Sequence, residues 1–266
     1  MQVRPARRLN SYTLAVRAYD WRVKILIIGA SDSDGSNLPD PSRGWRMTLQ
    51  RELPPLIGEA VELPYARFYT YVPGAEPYID RQIRRHQPDV TIVAATAAGF
   101  AYPMVGARLI NLLGWRTGRW FERRIHSWDG SAAHSDGPNR RLHDAAQWVA
   151  HRTIGASGYT TLEATLSGYG SLIDRLARDE QTRVVIMGAT HPAGALRERA
   201  PGATTAIDQF NSALSAKTRT RHFEWLDRQA LTTELSDDDV MQRDGLHKTA
   251  AFHRHIADAL LGILSP

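Results

Sequence analysis

The chain has 266 residues, of which 42% are apolar and 23% are charged. This length and composition are those of a globular protein with a substantial core, and they exclude a disordered or collagen-like chain. The 33 basic and 28 acidic side chains leave a net charge of +5, which is too small and diffuse an excess to indicate a nucleic-acid partner. Cysteine is absent, which excludes disulfides, a thiol nucleophile and cysteine-ligated metal.

The sequence predicts neither a targeting signal nor a membrane-spanning segment. Residues 1–22 begin with basic side chains but lack the long apolar run of a secretory signal, and we interpret them as an N-terminal extension. The uncharged run at 90–107 approaches spanning length, but it is rich in Ala, Gly and Thr and contains Pro103. We therefore expect a cytoplasmic protein.

The predicted strands are short apolar runs bounded by turn residues. In chain order they are residues 23–28, 59–63, 90–95, 183–187 and 222–226. Helical spacing of apolar side chains predicts helices at 43–53, 75–86 and 249–264. Strands that alternate with helices indicate a parallel sheet covered on both faces.

The interval between the third and fourth predicted strands, residues 100–182, is too long for a loop. Because it carries helical patterns of its own, we interpret it as a helical insertion in a single domain that spans residues 23–266. Within it, residues 101–125 combine apolar side chains with five arginines. An amphipathic helix packed on its own domain explains this pattern, and a lid or a peripheral contact with a membrane surface is the alternative.

The loop after the first predicted strand, residues 29–35, reads GASDSDG. In an open parallel sheet, ligands bind beyond the carboxyl ends of the strands, so Ser31 is a candidate nucleophile. Ser, Asp and Gly are also ordinary turn formers. The glycine patterns of phosphate-binding loops are absent from this segment.

A second candidate block, Asp244-Gly245-Leu246-His247, precedes the last predicted helix. A hydroxyl nucleophile needs a base, which is usually a histidine held in one tautomer by a carboxylate. An aspartate three residues before a histidine can reach the imidazole Nδ1 and leave Nε2 free to face a serine. Taken alone, the block is better explained as a helix N-terminal turn with an incidental histidine, and the pairing with the first block changes this.

Together, the two blocks resemble those of the SGNH hydrolases, which are also called GDSL-type esterases and lipases. The 29–35 loop is similar to the nucleophile block of that family, and Asp244-x-x-His247 is similar to its last block. The resemblance implies a flavodoxin-like three-layer α/β/α fold with a five-stranded parallel sheet. It also implies that Ser31 is the nucleophile, His247 the general base and Asp244 its orienting carboxylate.

The resemblance also implies an oxyanion hole, formed by the backbone N–H groups of Ser31 and Gly74. Two residues depart from the family pattern: Ala30 replaces an aspartate, and Ala98 replaces the asparagine whose amide would bind the oxyanion. Loss of one such donor lowers turnover about 10²–10³-fold. The expected substitutes are Asn37, Asn211 or the backbone around Ala98.

The sequence thus predicts a serine esterase that hydrolyses or transfers the acyl group of a small-molecule or lipid-like ester. It predicts no cofactor, no metal and no nucleic-acid partner. Asp32, Ala98 and His191 are expected to line the site, although a surface turn also explains His191. The alternative is a non-catalytic or repurposed protein that binds an acyl or glycosyl ligand, and Ala98 is the reason to consider it.

Overall fold

The computed structural model describes residues 22–114, 116–118, 120 and 157–265. Within these residues, six strands form the centre of the fold: β1 (Arg22–Gly29), β2 (Ala60–Glu62), β3 (Tyr65–Arg67), β4 (Val90–Ala94), β5 (Arg183–Met187) and β6 (Glu224–Leu226). All pairs are parallel, and the spatial order is β2-β1-β4-β5-β6, with β3 also paired to β1.

The edge of the sheet beside β1 differs in detail from the prediction. It consists of two short segments, β2 and β3, separated by Leu63 and Pro64. Proline has no N–H to donate to a ladder, but the Pro64 carbonyl still accepts from the Ile27 N–H at 2.9 Å. Counted as one edge, these segments complete the predicted five-stranded parallel sheet, and the flavodoxin-like fold class is confirmed.

The helices flank the sheet on both sides. They are α1 (Ser31–Asp34), α2 (Trp45–Ile57), α3 (Ala75–His86), α4 (Leu162–Leu176), α5 (Gly194–Arg199), α6 (Ala203–Thr220), α7 (Asp237–Val240) and α8 (Ala250–Leu264). Short 3₁₀ turns lie at Pro41–Arg43 and Ala230–Thr232, and residues 105–114 are helical. The predicted helix at 75–86 agrees with α3, whereas α2 continues past Pro54 and Pro55 to Ile57.

Two apolar cores lie on opposite faces of the sheet. Side chains of β1 alternate between them, with Ile25 and Ile27 on one face and Leu26 and Ile28 on the other. Helices α2 and α8 cover the first face, while α3, α4 and α6 cover the second. A central strand with both faces buried must be apolar throughout, which explains the unbroken apolar run in β1.

The predicted insertion, residues 100–182, includes an ordinary crossover helix. Helix α4 connects β4 to β5 and packs against α6, and its Tyr169, Leu172 and Ile173 are buried in the second core. Residues 121–156 lie outside the described residues, so the remainder of the insertion and the single-domain boundaries stay predictions. None of the described helices is both long and apolar enough to span a bilayer.

Candidate active site

A small cleft lies at the edge of the sheet where the parallel strands end. Its lining comes from the loops that follow β1, β3, β4, β5 and β6 and from the turn before α8. The lining residues are Ala30, Ser31, Asp32, Tyr69, Ala95, Thr96, Ala97, Ala98, Tyr102, Ala189, Thr190, Arg228, Leu246, His247 and Lys248. The structure thus brings Ser31, Asp32, Ala98 and His247 together, as the sequence predicted for a site at this edge.

Ser31 begins α1, immediately after the turn that ends β1. Gly29 leaves no room for a larger residue, because an added Cβ would collide with Ser33 Oγ and lie 3.0 Å from Ala94 Cβ. On the other side of this turn, the Tyr65 hydroxyl donates to the Ala30 carbonyl at 2.7 Å. The N–H of Ser31 lies in the first turn of α1, where N–H groups have no intrahelical acceptor.

The turn that carries Asp244 and His247 is closed by its own hydrogen bonds. Asp244 Oδ1 accepts from the N–H groups of Leu246 and His247 at 2.9 Å each, and Asp244 Oδ2 lies 2.5 Å from His247 Nδ1. Gly245 has a φ of +71°, and an added Cβ there would collide with the Ala193 carbonyl. The contact at Nδ1 directs Nε2 away from the carboxylate, as a general base requires.

Asp244 is ionised at neutral pH. Burial alone would raise the pKa of its carboxyl group, but the hydrogen bond and charge of His247 and the two backbone N–H donors lower it below its ordinary value. A permanent carboxylate at this position fixes the Nδ1–H tautomer of His247. His247 Nε2 makes no hydrogen bond to any described residue, and the same is true of Ser31 Oγ, so both are free to meet a substrate in the cleft.

Three charged side chains lie together in the cleft lining: Asp32, Arg228 and Lys248. The sequence predicted Asp32 but neither of the two cations. Lys248 is buried and forms an ion pair with Asp32, with 2.6 Å between Nζ and Oδ2. Burial opposes the ionisation of Asp32, but the charges of Lys248, His247 and Arg228 outweigh it and lower its pKa to about 2. Arg228 is also buried, with 3% of its surface exposed. The cluster therefore holds two cations and one carboxylate.

Tyr102 and Thr190 are further lining residues that no sequence pattern indicated. The Tyr102 hydroxyl lies 3.4 Å from the Thr190 carbonyl oxygen, to which it donates. Burial raises the pKa of Tyr102 above its ordinary value, so the hydroxyl stays protonated. Among the described residues, no group of histidine and carboxylate side chains is arranged to hold a metal ion.

We call the part of the cleft around Asp244 and His247 the base side, and the part around Ala98, where the sequence predicts the oxyanion hole, the oxyanion side. The oxyanion side has fewer free hydrogen-bond donors among the described residues. Ala98 lines the cleft, but its N–H donates to Thr96 Oγ1 at 3.2 Å. Gly74 caps α3 with a φ of +78°. It is not among the described residues that line the cleft, where Tyr69 is the residue contributed by the same loop.

The asparagines considered as substitutes for the missing donor are placed elsewhere. Asn211 exchanges two hydrogen bonds with the backbone of Ala189, each of 2.8 Å, so its amide is already engaged. Asn37 has a buried Nδ2 without a partner, and it does not belong to the described lining of the cleft. Neither amide is therefore positioned as a donor to the cleft.

His191 lies beside the cleft rather than in its described lining. Its Nε2 lies 2.7 Å from Asp208 Oδ1, and its N–H donates to Gln229 Oε1 at 2.8 Å. These contacts tie the loop after β5 to α6 and to the loop after β6. His191 thus supports the lining residues Ala189 and Thr190 that precede it.

Comparison with solved structures places this fold among the SGNH-type folds, the class that the sequence resemblance implied. The acetylxylan esterase Axe2 from Geobacillus stearothermophilus is 13% identical with a TM-score of 0.55, and the match covers 90% of this chain and 92% of that chain. The acetyl xylan esterase AlAXEase is 13% identical with a TM-score of 0.54, covering 91% and 100%. TesA is 15% identical with a TM-score of 0.53, covering 91% and 97%. No protein-family profile and no curated protein sequence matches the chain.

Proposed function

We propose that the chain is a serine esterase in which Ser31, His247 and Asp244 form the catalytic triad. The observation that carries this proposal is the 2.5 Å contact between Asp244 Oδ2 and His247 Nδ1, in a turn whose imidazole shares a cleft with Ser31. Ser33, two positions along the same loop, is not a competing nucleophile because it is 1% exposed and its Oγ is buried.

In the proposed reaction, Ser31 Oγ attacks the ester carbonyl carbon while its proton passes to His247 Nε2. Asp244 stabilises the imidazolium that forms. The bond between the carbonyl carbon and the alcohol oxygen then breaks, and His247 returns the proton to the departing alcohol. Water, or an acceptor alcohol in the transferase version, attacks the acyl-enzyme and gives its proton to His247. The bond between the acyl carbon and Ser31 Oγ then breaks, His247 returns the proton to Ser31, and the carboxylic acid or new ester leaves.

The similar solved structures support an ester as the substrate class. Catalytic mutants of the Geobacillus esterase have been solved with a serine, an aspartate and a histidine replaced, and in that protein the last two lie three positions apart. Asp244 and His247 have the same separation. The N–H of Ser31 is the first oxyanion donor of the proposed site. Gly74 stays a predicted second donor, although it is not among the described residues that line the cleft.

A second candidate function is binding without turnover, and Ala98 is the observation that favours it. A protein with this cleft and a weakened oxyanion hole would bind an acyl or glycosyl ligand in place of hydrolysing an ester. Thermal stabilisation by octanoate or xylobiose, together with no Ser31-dependent turnover of aryl esters, would select this alternative.

Hydrolysis of p-nitrophenyl acetate and p-nitrophenyl butyrate by the purified chain tests the proposed esterase. We expect Ser31→Ala to lower kcat by about 10⁴-fold or more, since the nucleophile is removed. The matched control is Ser33→Ala, which removes a buried hydroxyl from the same loop and should keep kcat within about twofold. Equal turnover by wild type and Ser31→Ala would overturn the proposal.

A further inference from the structure

Arg228 occupies an unusual place for a buried cation. It follows β6, the last strand, and its side chain reaches back across the ends of two other strands. Its Nε donates to the Gly188 carbonyl, just after β5, and its Nη2 donates to the Ala95 carbonyl, just after β4. These two contacts hold the plane of the guanidinium against the sheet edge that forms the floor of the cleft.

The third nitrogen of this guanidinium is unused. Nη1 of Arg228 makes no hydrogen bond or ion pair with any residue that the structure describes, although Arg228 lines the cleft together with Ser31, Ala98 and His247. Burial lowers the pKa of Arg228, and the charge of Asp32 opposes this effect. Because Lys248 pairs with the same carboxylate, one of the two positive charges has no second carboxylate to compensate it among the described residues.

An anion in the cleft would supply that compensation. In the proposed reaction, negative charge develops on the carbonyl oxygen as Ser31 attacks, and donors fixed before the reaction stabilise it best. The amide expected at position 98 is absent, and the candidate substitutes do not replace it. Asn211 bonds to Ala189, the Ala98 N–H bonds to Thr96, and Asn37 is not among the described lining residues of the cleft.

We infer that Arg228 is the side-chain oxyanion donor of this site, with Nη1 in the role that an asparagine at position 98 would fill. This inference rests on the proposed esterase function. Arg228 becomes a catalytic residue, because its guanidinium contacts the reacting oxygen, while Ala95 and Gly188 act by positioning it. The alanine at position 98 fits this arrangement, because its small side chain leaves room for the larger guanidinium group of Arg228, which follows β6.

The first test is the pair Arg228→Lys and Arg228→Gln, assayed with p-nitrophenyl acetate. We expect kcat to fall about 10²–10³-fold with KM within about twofold, because the interaction forms only in the transition state. The inhibition constant of butylboronic acid, which forms a tetrahedral adduct with a serine nucleophile, should rise in parallel with the loss of kcat/KM. The matched control is Arg221→Gln, a remote surface arginine paired with Asp174.

A second-site variant distinguishes a hydrogen bond from Arg228 to the oxyanion from a purely structural role of Arg228 at the strand ends. Ala98→Asn should restore kcat about tenfold or more in the Arg228→Lys background and much less in the wild type, because both side chains serve one oxyanion. It restores none of the contacts that Arg228 makes with Gly188 and Ala95, so a structural role predicts no rescue. If Arg228→Gln does not fold, the inference is tested by comparing kcat of the wild type, Arg228→Lys, Ala98→Asn and the double variant.

The outcomes also separate this inference from the proposed function. Fluorophosphonate labelling of Ser31 in the wild type, together with unchanged kcat in a folded Arg228→Lys protein or a lack of rescue by Ala98→Asn, overturns the role of Arg228 alone. A wild-type protein whose Ser31 does not react overturns both. Loss of kcat, weaker boronate binding and rescue by Ala98→Asn together support the inference.

Discussion

The two sides of the cleft are built in different ways. The base side is one turn, in which Asp244, Leu246 and His247 are joined by contacts between residues at most three positions apart. The oxyanion side that we infer is assembled across the sheet, and Arg228 and Ala95, which it joins, are 133 positions apart. Contacts between residues close in sequence can be predicted from a motif. Contacts between residues distant in sequence form only when the strands pair.

The largest expected effect concerns the base side. His247→Gln removes the proposed general base and should lower kcat about 10⁴-fold or more. Asp244→Asn should lower kcat about 10³-fold or more by favouring the wrong tautomer of His247. The exposed His255 on α8 provides the matched control, and His255→Gln should keep kcat within about twofold. Steady-state kinetics with p-nitrophenyl acetate measures all three. Comparable losses in the control would contradict a specific role for the turn.

The pH dependence of kcat/KM sharpens the assignment of the base. Asp244 has a lowered pKa and remains a carboxylate on mild acidification. A general base acts only in its deprotonated form, so the proposed mechanism predicts an acidic loss of activity that Asp244 does not cause. We expect activity to fall as the pH is lowered, without any loss of fold at the same pH by circular dichroism. Activity that stays constant into the acidic range would contradict the role of His247.

The next effect concerns the charges under the oxyanion side. Asp32→Asn leaves Lys248 and Arg228 without their carboxylate and should lower the free energy of unfolding by about 3 kcal/mol at pH 7. The folded-state pKa of Asp32 is about 2, below the ordinary 3.8. Its contribution to stability is therefore present above about pH 4 and is lost as the pH falls toward 2.

Urea unfolding at several pH values measures this contribution. The stability difference between wild type and Asp32→Asn should shrink by about 2 kcal/mol between pH 4 and pH 2. Asp258→Asn is the control, because Asp258 is half exposed and pairs with Arg254 on the surface, where such a pair contributes about 0–1 kcal/mol. A pH-independent difference for Asp32→Asn would contradict the ion pair.

A smaller effect is expected when the backbone of the Asp244–His247 turn is strained. Gly245→Ala forces a side chain into a positive φ and against the Ala193 carbonyl, which should cost about 2–4 kcal/mol of stability and lower kcat. Gly262→Ala is the matched control, because Gly262 lies in α8 with open space around it and should stabilise by about 0.5–1 kcal/mol. A fully stable and active Gly245→Ala protein would show that the turn is not needed.

The sequence predicted most of the fold but only part of the cleft lining, for physical reasons. β1 and α3 follow from local patterns, and so do the 29–35 loop and the Asp244–His247 pair. β3 was missed because three residues beside a proline give no periodic signal. Arg228, Lys248 and Tyr102 were missed because their partners are distant in sequence, and a charged residue in a sequence gives no sign that it will be buried.

The central claim is that Ser31 is a nucleophile activated in this cleft. Labelling of the folded chain with a fluorophosphonate, followed by mass-spectrometric mapping of the modified peptide, tests it before any natural ester is known. We predict a single adduct on Ser31 that disappears in Ser31→Ala and forms much more slowly in His247→Gln. A folded chain that is not labelled, or that is labelled equally well in Ser31→Ala, would contradict the account.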